Sequence, residues 1–309
     1  MVEPVEFEFI GVGETMALFT PVQSRTLSPK SECLSDAAGA ESNVARCLAL
    51  LGLPTAWIGA VGEDILGTLV LDAVSNDGVD VSLVSRDSSR PTGAIFKSTS
   101  SSNRGVQYLR DKSAGSHFGS EAFTRALKIR TSVLHVSGVT AAISETGLEL
   151  VQELVRRDRN LGTVSFDVNF RPSLWKVDAA PILLEIARQA DVVFVGQDEA
   201  LSLWGTKTPD DVRRLLPSVQ SLVIKDGAVA ARTYTEDQVF VAPAPRRDVV
   251  EAVGAGDAFA AGWIMGTLLG LDAVRKMELG HALAGIVLAS PLDVPTPVDV
   301  LHLPRWDKR

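Results

Sequence analysis

The chain has only two cysteines, Cys33 and Cys47, among its 309 residues, and they are too far apart to form a C-x-x-C pair. This scarcity argues against a disulfide scaffold and a cysteine zinc site, and it favours a reducing compartment. The first residues also lack the basic segment that opens a secretory signal. We therefore expect a cytoplasmic protein.

Long apolar runs and basic blocks are absent as well. The longest apolar stretch, residues 258–271, ends at Asp272 and is too short to span a bilayer. Acidic residues outnumber basic ones by 38 to 30, which gives a net charge of −8. Because no basic cluster offsets this charge, we expect neither a nucleic-acid partner nor a membrane partner.

Several common catalytic patterns are missing. The chain has no G-x-x-x-x-G-K-[ST] phosphate loop, no H-E-x-x-H zinc motif and no G-x-S-x-G nucleophile turn. A dinucleotide fingerprint begins at Gly11 and Gly13 but fails at Met16, where its third glycine would stand. These absences argue against a Walker-type NTPase, a zinc hydrolase, a serine hydrolase and a dehydrogenase.

Short apolar runs alternate with amphipathic helical patterns along the chain. We predict strands at residues 6–12, 56–61, 132–136, 163–168, 192–195 and 222–224. Alternation of this kind predicts an α/β fold, a mostly parallel sheet with helices on both faces. In such folds ligands lie beyond the carboxyl ends of the strands.

Two segments interrupt this alternation. Residues 15–36 and 91–111 are rich in serine, threonine and short apolar pieces and show little helical periodicity. We interpret them as extra strands that form a small discontinuous β-lid beside the main sheet. No repeat or long linker is visible, so residues 1–309 are predicted to form one domain with this lid.

The most informative string is VGAGDAF at residues 253–259, directly before the apolar run. Gly254 and Gly256 permit a tight turn, and the helix that follows would present free N–H groups and a positive dipole end to an anion. Asp257 stands inside this anion site. A carboxylate there suits a general base beside a phosphoryl group; a simple glycine turn is the alternative.

A second string, GAESNVA at residues 39–45, opens another predicted helix. Gly39 and Asn43 offer backbone and amide donors for hydroxyl groups; the alternative is a glycine turn followed by a surface asparagine. Together the two strings resemble the N-terminal and C-terminal signatures of the ribokinase-like (PfkB) family of carbohydrate kinases. With both in family order, the resemblance covers nearly the whole chain.

This resemblance implies a ribokinase-like fold that uses ATP and Mg²⁺, with a monovalent cation in some members. It implies that Asp257 is the catalytic base and that Gly254, Ala255 and Gly256 stabilise the transferring phosphoryl group. It also implies sugar binding by Gly39 and Asn43. The D-T pair that normally precedes the G-A-G-D core is Glu251-Ala252 here, which puts the monovalent-cation contact in doubt.

Three further strings resemble the 2-keto-3-deoxygluconate kinase branch of the family, namely YLRDKSAGS at 108–116, LHVSGVT at 134–140 and DVNFRPSLW at 167–175. The substrate of that branch is a sugar acid, and arginine suits its carboxylate because the guanidinium can bind both oxygens. Tyr108, Arg110 and Arg171 are thus predicted substrate residues. For each arginine, a surface ion pair is the alternative.

The same resemblance implies which residues bind magnesium and the nucleotide. Glu199 stands at the glutamate of the family's N-x-x-E motif, which organises magnesium through water, although Gly196 replaces the asparagine. Lys225 and Gly227 match the nucleotide loop, and His281 lies where relatives carry a residue that lines the adenine pocket. A strand-end surface lysine and a packed helical histidine are the alternatives at Lys225 and His281.

The sequence therefore predicts a sugar-acid kinase that phosphorylates a primary hydroxyl, most simply 2-keto-3-deoxygluconate to its 6-phosphate. The alternatives are a fructokinase, a ribokinase or a nucleoside kinase of the same family, or a catalytically silent sugar- or nucleotide-sensing protein. The intact G-A-G-D core argues against the silent protein. Phe19, Val22, Ile95 and Phe96 lie on the predicted lid strands. Because Phe19 and Phe96 would be costly to leave in water, we expect a homodimer joined through the lid.

Overall fold

The structure, a computed structural model, describes residues 6–22, 27–100, 103–156 and 162–303. Its strands, in chain order, are β1 (Phe7–Val12), β2 (Met16–Pro21), β3 (Cys33–Ala38), β4 (Thr55–Ile58), β5 (Ala60–Gly62), β6 (Ser85–Asp87), β7 (Ala94–Ser100), β8 (Asn103–Leu109), β9 (Thr131–Ser137), β10 (Thr163–Asp167), β11 (Val192–Gly196), β12 (Ser221–Asp226), β13 (Ala230–Tyr234) and β14 (Val239–Pro243).

Helices fill most of the connections between these strands. They are α1 (Ala40–Leu50), α2 (Ile65–Asn76), α3 (Ser120–Ala126), α4 (Gly138–Ile143), α5 (Glu145–Leu154), α6 (Ala179–Gln189), α7 (Gln197–Trp204), α8 (Pro209–Leu215), α9 (Ala255–Leu268), α10 (Ala273–Leu288) and α11 (Pro297–Leu301).

The main sheet has eight strands in the order β14-β13-β12-β11-β10-β9-β1-β4. The six strands from β12 to β4 are parallel, and every residue of the central strand β11 is buried. Burial on both faces is what helical crossovers on both sides of a parallel sheet produce. The predicted α/β class is confirmed.

The predicted strand at residues 56–61 is wrong in one respect, because the structure divides it at Gly59. Residues before the glycine pair with β1, whereas those after it form β5 and pair with β6. A Cβ atom at Gly59 would stand 2.5 Å from the Trp57 ring and 2.7 Å from the carbonyl oxygen of Gly13. Only glycine fits where the chain changes sheets so close to these groups.

Strands β13 and β14, which complete one side of the main sheet, were absent from the sequence-based prediction. They form an antiparallel hairpin on β12. Residues 230–234, AARTY, contain few large apolar side chains, so their periodicity is weak. Pairing with a buried neighbouring strand, and not local pattern, explains why they are extended.

A separate four-stranded sheet with the order β3-β2-β7-β8, which we call the lid, lies beside the main sheet. Its strands fall largely within the two segments predicted for it, of which residues 23–26 and 101–102 lie outside the described residues. One face of the lid carries a small buried cluster of Met16, Leu18 and Ile95. The lid therefore has its own apolar layer.

The apolar lid positions differ in exposure. Ile95 is buried, and the rings of Phe19 and Phe96 stack with centroids 5.1 Å apart. Phe19 also packs against the core of the main body. Ile95 therefore needs no second chain to cover it, whereas Phe19 and Phe96 are half-buried and Val22 is exposed.

Helix α9 packs closely on α10. A Cβ atom at Gly262 would stand 2.6 Å from the carbonyl oxygen of Leu279 and 2.7 Å from the nitrogen of Gly280. The close approach of the two helices at this point therefore depends on glycine. In the described ranges, no helix combines the length and the apolar character that crossing a bilayer would need.

Candidate active site

A cavity of about 620 Å³ opens between the lid and the carboxyl ends of the parallel strands. It brings together most of the residues singled out by sequence. Those that line it are Gly39, Asn43, Tyr108, Arg110, Arg171, Glu199, Lys225, Gly227, Gly254, Gly256 and Asp257. Ala255 and His281 line an adjoining cavity instead.

The two signature strings meet directly in this cavity. The Asn43 Nδ2 atom on α1 donates a hydrogen bond of 2.9 Å to the Asp257 Oδ2 atom at the start of α9, across 214 residues of sequence. Gly39 caps the N-terminus of α1, and a Cβ atom there would stand 2.3 Å from the carbonyl oxygen of Glu14. The glycine therefore allows α1 to begin close enough for Asn43 to reach Asp257.

The turn before α9 leaves the first N–H groups of this helix without a side-chain cap. Gly254 is the N-cap residue, with φ of 82°, and a Cβ atom on it would stand 2.3 Å from the carbonyl oxygen of Asp293. Both the backbone angle and the contact require glycine. The N–H groups of Ala255, Gly256 and Asp257 lie at a 14-residue helix's positive end, where an anion is stabilised.

Burial raises the pKa of Asp257 to about 7. The hydrogen bond from Asn43 opposes this shift, the negative charge of Asp167 adds to it, and the positive charges of Lys225 and Arg171 oppose it. A carboxylate with this pKa is a stronger base than an ordinary aspartate, yet a large fraction of it is ionised at neutral pH. It can therefore accept a proton from a hydroxyl group.

Lys225 extends from the end of β12 into the cavity. Its Nζ atom donates to the Asp167 Oδ2 atom at 2.8 Å. Burial disfavours the charged ammonium, but the charges of Asp167 and Glu199 outweigh it, so the pKa of Lys225 is raised. Because the lysine is paired inside the cavity, it is not a strand-end surface lysine.

Arg110 has a carboxylate partner that the sequence did not reveal. Its Nε and Nη2 atoms lie 2.9 Å and 2.7 Å from the Glu14 Oε2 atom. Ser113 donates a further hydrogen bond to Glu14, and the Arg110 guanidinium lies 5.7 Å from the centre of the Tyr108 ring. Glu14 therefore fixes the orientation of the Arg110 guanidinium in the cavity and neutralises much of its positive charge.

Arg171 differs from Arg110 in this respect. Arg171 follows β10, directly before a short 3₁₀ turn at Pro172–Leu174, and it is exposed. Within the part of the chain that the structure describes, Arg171 forms no salt bridge. Its guanidinium remains available to an acidic ligand in the cavity.

Glu199 is held by backbone groups at the start of α7. Its Oε2 atom accepts from the Gly196 nitrogen at 2.7 Å, and its Oε1 atom accepts from the Phe170 nitrogen at 3.0 Å. Nearby, the buried Asn169 Oδ1 atom has no hydrogen-bond partner. No cluster of three or more potential His, Cys, Asp or Glu ligands occurs in the described ranges. These groups fit a magnesium ion that keeps most of its waters.

The adjoining cavity measures about 710 Å³ and shares Lys225, Gly227, Ala252 and Gly256 with the first. It is largely apolar, with the rings of Phe259 and His281 meeting edge to face at 5.1 Å. The His281 Nε2 atom lies 3.2 Å from the Ala242 oxygen. An apolar pocket that opens onto a helix N-terminus suits a base with attached phosphates.

The groups beside the Gly254 turn fit a monovalent cation poorly. The Glu251 Oε1 atom accepts hydrogen bonds from the Ala252 and Val253 nitrogens, at 2.8 Å and 3.3 Å. Ala252 has no hydroxyl group to offer. The carboxylate is thus used by its own backbone, and no side-chain oxygen replaces the missing one at the next residue.

The comparisons with known proteins agree with this geometry. The model of the pfkB family carbohydrate kinases matches residues 9–297. This chain belongs to that family. It is 35% identical over 298 residues to the 2-dehydro-3-deoxygluconokinase of Bacillus subtilis (strain 168), which covers 94% of this chain and 92% of the relative.

Two solved structures share the fold of this chain. The PfkB protein of Polaromonas sp. JS666 superposes with a TM-score of 0.84 and 31% identity, over 96% of this chain and all of the other. The 2-dehydro-3-deoxygluconokinase of Thermotoga maritima superposes with a TM-score of 0.83 over 97% of this chain and 99% of the other, at 23% identity. The ribokinase-like fold with its small β-lid is confirmed.

Sequence reasoning missed several residues that line or support the cavity. Asp198 and Met16 line it, and Asp293 approaches it from the segment after α10. Lys97 reaches Asp293 from the lid. Asp198 and Met16 stand in strings singled out above, but at positions to which no role was assigned. Lys97 and Asp293 are 196 residues apart, so no local signal connects them.

Proposed function

We propose that this chain is a 2-dehydro-3-deoxygluconokinase, the enzyme class called 2-keto-3-deoxygluconate kinase above. It would transfer the γ-phosphoryl group of ATP to the primary hydroxyl of this sugar acid and form the 6-phosphate. The observation that carries the proposal is the Asn43–Asp257 hydrogen bond, which places a base of raised pKa at a helix N-terminus between two cavities. The similarity to curated enzymes of that name supports the substrate.

The acceptor side would be formed by the first cavity. Gly39 and Asn43 offer donors to sugar hydroxyls, and Tyr108 borders them from the lid. Arg171 would bind the carboxylate, with Arg110 beside it in a fixed orientation. The lid would exclude water, because ATP would otherwise be hydrolysed instead of transferring its phosphoryl group to the sugar.

In phosphoryl transfer the protein mainly positions the reactants and stabilises the charge on the transferring group. Asp257 would accept the hydroxyl proton at Oδ1, since its Oδ2 atom already accepts from Asn43. The N–H groups of Ala255, Gly256 and Asp257 would stabilise the transferring phosphoryl group, and Lys225 and Gly227 would border the nucleotide. His281 would line the adenine side.

Magnesium, when bound with ATP, supplies charge neutralisation of the phosphates. Glu199 would hold it through water, with the free Asn169 Oδ1 atom as a further acceptor for those waters. A structural neighbour solved in complex with ATP and Mg²⁺, a putative ribokinase II of E. coli, supports this cofactor pair. With Cys33 and Cys47 both free thiols, we expect the reaction in the reducing cytoplasm.

A neutral sugar is the second candidate substrate class, as in a fructokinase or ribokinase. The salt bridge between Arg110 and Glu14 favours it, because a paired arginine loses part of its value for a carboxylate.

An ATP-consumption screen separates these substrate classes. It compares keto-deoxy sugar acids, neutral hexoses, pentoses and nucleosides at equal concentration. We expect the highest kcat/KM with 2-dehydro-3-deoxygluconate. A neutral sugar or nucleoside as the best substrate would overturn the assignment, and no turnover with any of them would favour a sensing protein.

The pH dependence should follow Asp257. The base must be ionised to act, and its pKa is raised to about 7, so kcat/KM should rise with pH up to about 7 and level off above it. Because the Asn43 hydrogen bond lowers the pKa of Asp257, Asn43→Ala should move the inflection to higher pH. A pH–rate profile of both proteins checks this; a parent profile that is flat from pH 5 to 8 would contradict it.

We also propose that the chain forms a homodimer through the lid. Val22, Leu34 and Leu109 leave 54%, 47% and 56% of their surfaces exposed on or beside its strands. Two lids facing each other around a two-fold axis would cover these side chains. We expect sedimentation of a dimer at micromolar concentration, and monomers of Leu34→Glu with lowered activity. Val239→Glu, at an equally exposed position on β14, should remain dimeric; a fully active monomeric parent would refute the proposal.

A further inference from the structure

A buried ion pair joins the lid to the segment that touches the Gly254 turn. Lys97 on β7 donates from Nζ to the Asp293 Oδ1 atom, and the two side chains are only 6% and 3% exposed. Lys97 is a charged residue in a strand whose neighbours Ile95 and Phe96 are apolar. A buried pair of this kind is costly to desolvate, so its position needs a reason.

Asp293 lies directly behind the phosphate-binding turn. Its carbonyl oxygen approaches Gly254 so closely that no Cβ atom fits between them, and the residue lines the first cavity. Any change in the position of Asp293 would therefore move the turn whose N–H groups face the phosphate. The ion pair thus fixes the turn from behind.

Two further carboxylates act on Asp293, of which Asp36 is paired with Arg46. Burial raises the pKa of Asp293, the charge of Lys97 opposes this, and the charges of Glu251 and Asp36 add to it. Because Arg46 already offsets Asp36, the carboxylates of Asp293 and Glu251 are the ones that would repel the phosphates of a nucleotide. Lys97 supplies the opposing positive charge in a place that water hardly reaches.

These observations coincide with the poor fit of a monovalent cation described above. Glu251 is occupied by its own backbone, Ala252 offers no oxygen from its side chain, and Asp293, whose backbone touches the turn, holds an ammonium group. We propose that the Lys97 ammonium, held by Asp293, takes the place of a monovalent cation beside the Gly254 turn, so that this kinase needs no such cation. The inference rests on the proposed function for its catalytic consequence only.

An ammonium group can replace a bound ion because it carries the same charge and three donors in a compact head. It is tethered, so the site does not have to capture an ion from solution. Because the tether is a lid strand, the charge reaches Asp293 only when the lid is in place. Lid position and phosphate binding are therefore linked through one side chain.

The first test needs no variant. The affinity for a non-hydrolysable ATP analogue with Mg²⁺ is measured by calorimetry in potassium, sodium and tetramethylammonium buffers of equal ionic strength, together with kcat on the best substrate of the screen. We expect all values to agree within about twofold. A parent protein whose affinity or kcat rises about tenfold or more with potassium would overturn the proposal.

The second test removes the Lys97 ammonium, so that nucleotide binding should come to depend on a monovalent cation from solution. In Lys97→Met, the carboxylates near the turn lose their counter-charge, so analogue affinity in tetramethylammonium should fall about tenfold and recover with potassium or ammonium. Lys128→Met, at an exposed lysine on another surface, should behave as the parent. If Lys97→Met binds the analogue equally well in every buffer and as tightly as the parent, the lysine has no such role.

A double variant covers the case in which Lys97→Met fails to fold. Lys97→Met with Asp293→Leu removes both charges, and exchanging a buried pair for apolar residues is often tolerated. This protein should fold and remain insensitive to potassium, since the charge near the turn is again balanced; a potassium response would contradict the proposal. Because analogue binding is read without any sugar, a chain that phosphorylates none of the screened substrates still tests the role of Lys97.

Discussion

Replacement of Asp257 by asparagine is expected to lower kcat by about 10²- to 10⁴-fold, the usual cost of losing a general base. The asparagine oxygen can still accept the hydrogen bond that Asn43 donates to the Oδ2 atom. The site should therefore keep its geometry, and the affinities for sugar acid and ATP should change little. Steady-state kinetics and calorimetry on the same preparation measure both effects.

A matched carboxylate serves as the control for this variant. Asp237 is exposed in the turn between β13 and β14, so Asp237→Asn removes the same charge without touching either cavity and should leave kcat unchanged. If Asp257→Asn kept kcat within a few-fold of the parent, another group would have to accept the proton.

The second large effect is expected at the arginines. Arg171→Ala should weaken sugar-acid binding by about 10- to 150-fold, because a hydrogen bond to a charged group is worth about 1.5–3 kcal/mol. Arg110→Ala should also weaken it, but less selectively, since that guanidinium is paired with Glu14. ATP affinity should stay near the parent value in both variants. The measurement is KM or Kd for the acid and for its neutral amide analogue.

The comparison with the neutral analogue decides the role of the charge. Arg171→Lys should lie between parent and alanine for the acid, because it keeps the charge but loses the planar fork. Arg86→Ala, at an exposed arginine on β6, is the matched control. Equal losses for the acid and the amide would remove the carboxylate assignment and favour a neutral sugar.

The sequence was sufficient for those features that depend on short strings. Asp257 and Asn43 were found because each belongs to a glycine-containing string that opens a helix, and the backbone there has few alternatives. The six parallel strands were visible because both of their faces are buried, which leaves continuous apolar runs. Such signals are local and survive without an alignment.

Contacts between residues far apart in the chain could not be predicted from the sequence. The pairing of Arg110 with Glu14 joins residues 96 apart, and it changes what the arginine can offer to a ligand. The division of the predicted strand at Gly59 depends on the Trp57 ring and the Gly13 backbone, which pack there only in the folded protein. Strands β13 and β14 likewise obtain their conformation from a neighbour and not from their own pattern.

The bond between Asn43 and Asp257 has a consequence for how the protein folds. It closes a loop of more than two hundred residues, and contacts of such long range are among the last to form because the entropy lost on closure must be offset first. During synthesis the lid strands and α1 emerge well before α9 does. Asp257, the proposed base, and Asn43 thus meet only when both ends of the chain have docked. Partly folded chains therefore lack the arrangement proposed to consume ATP.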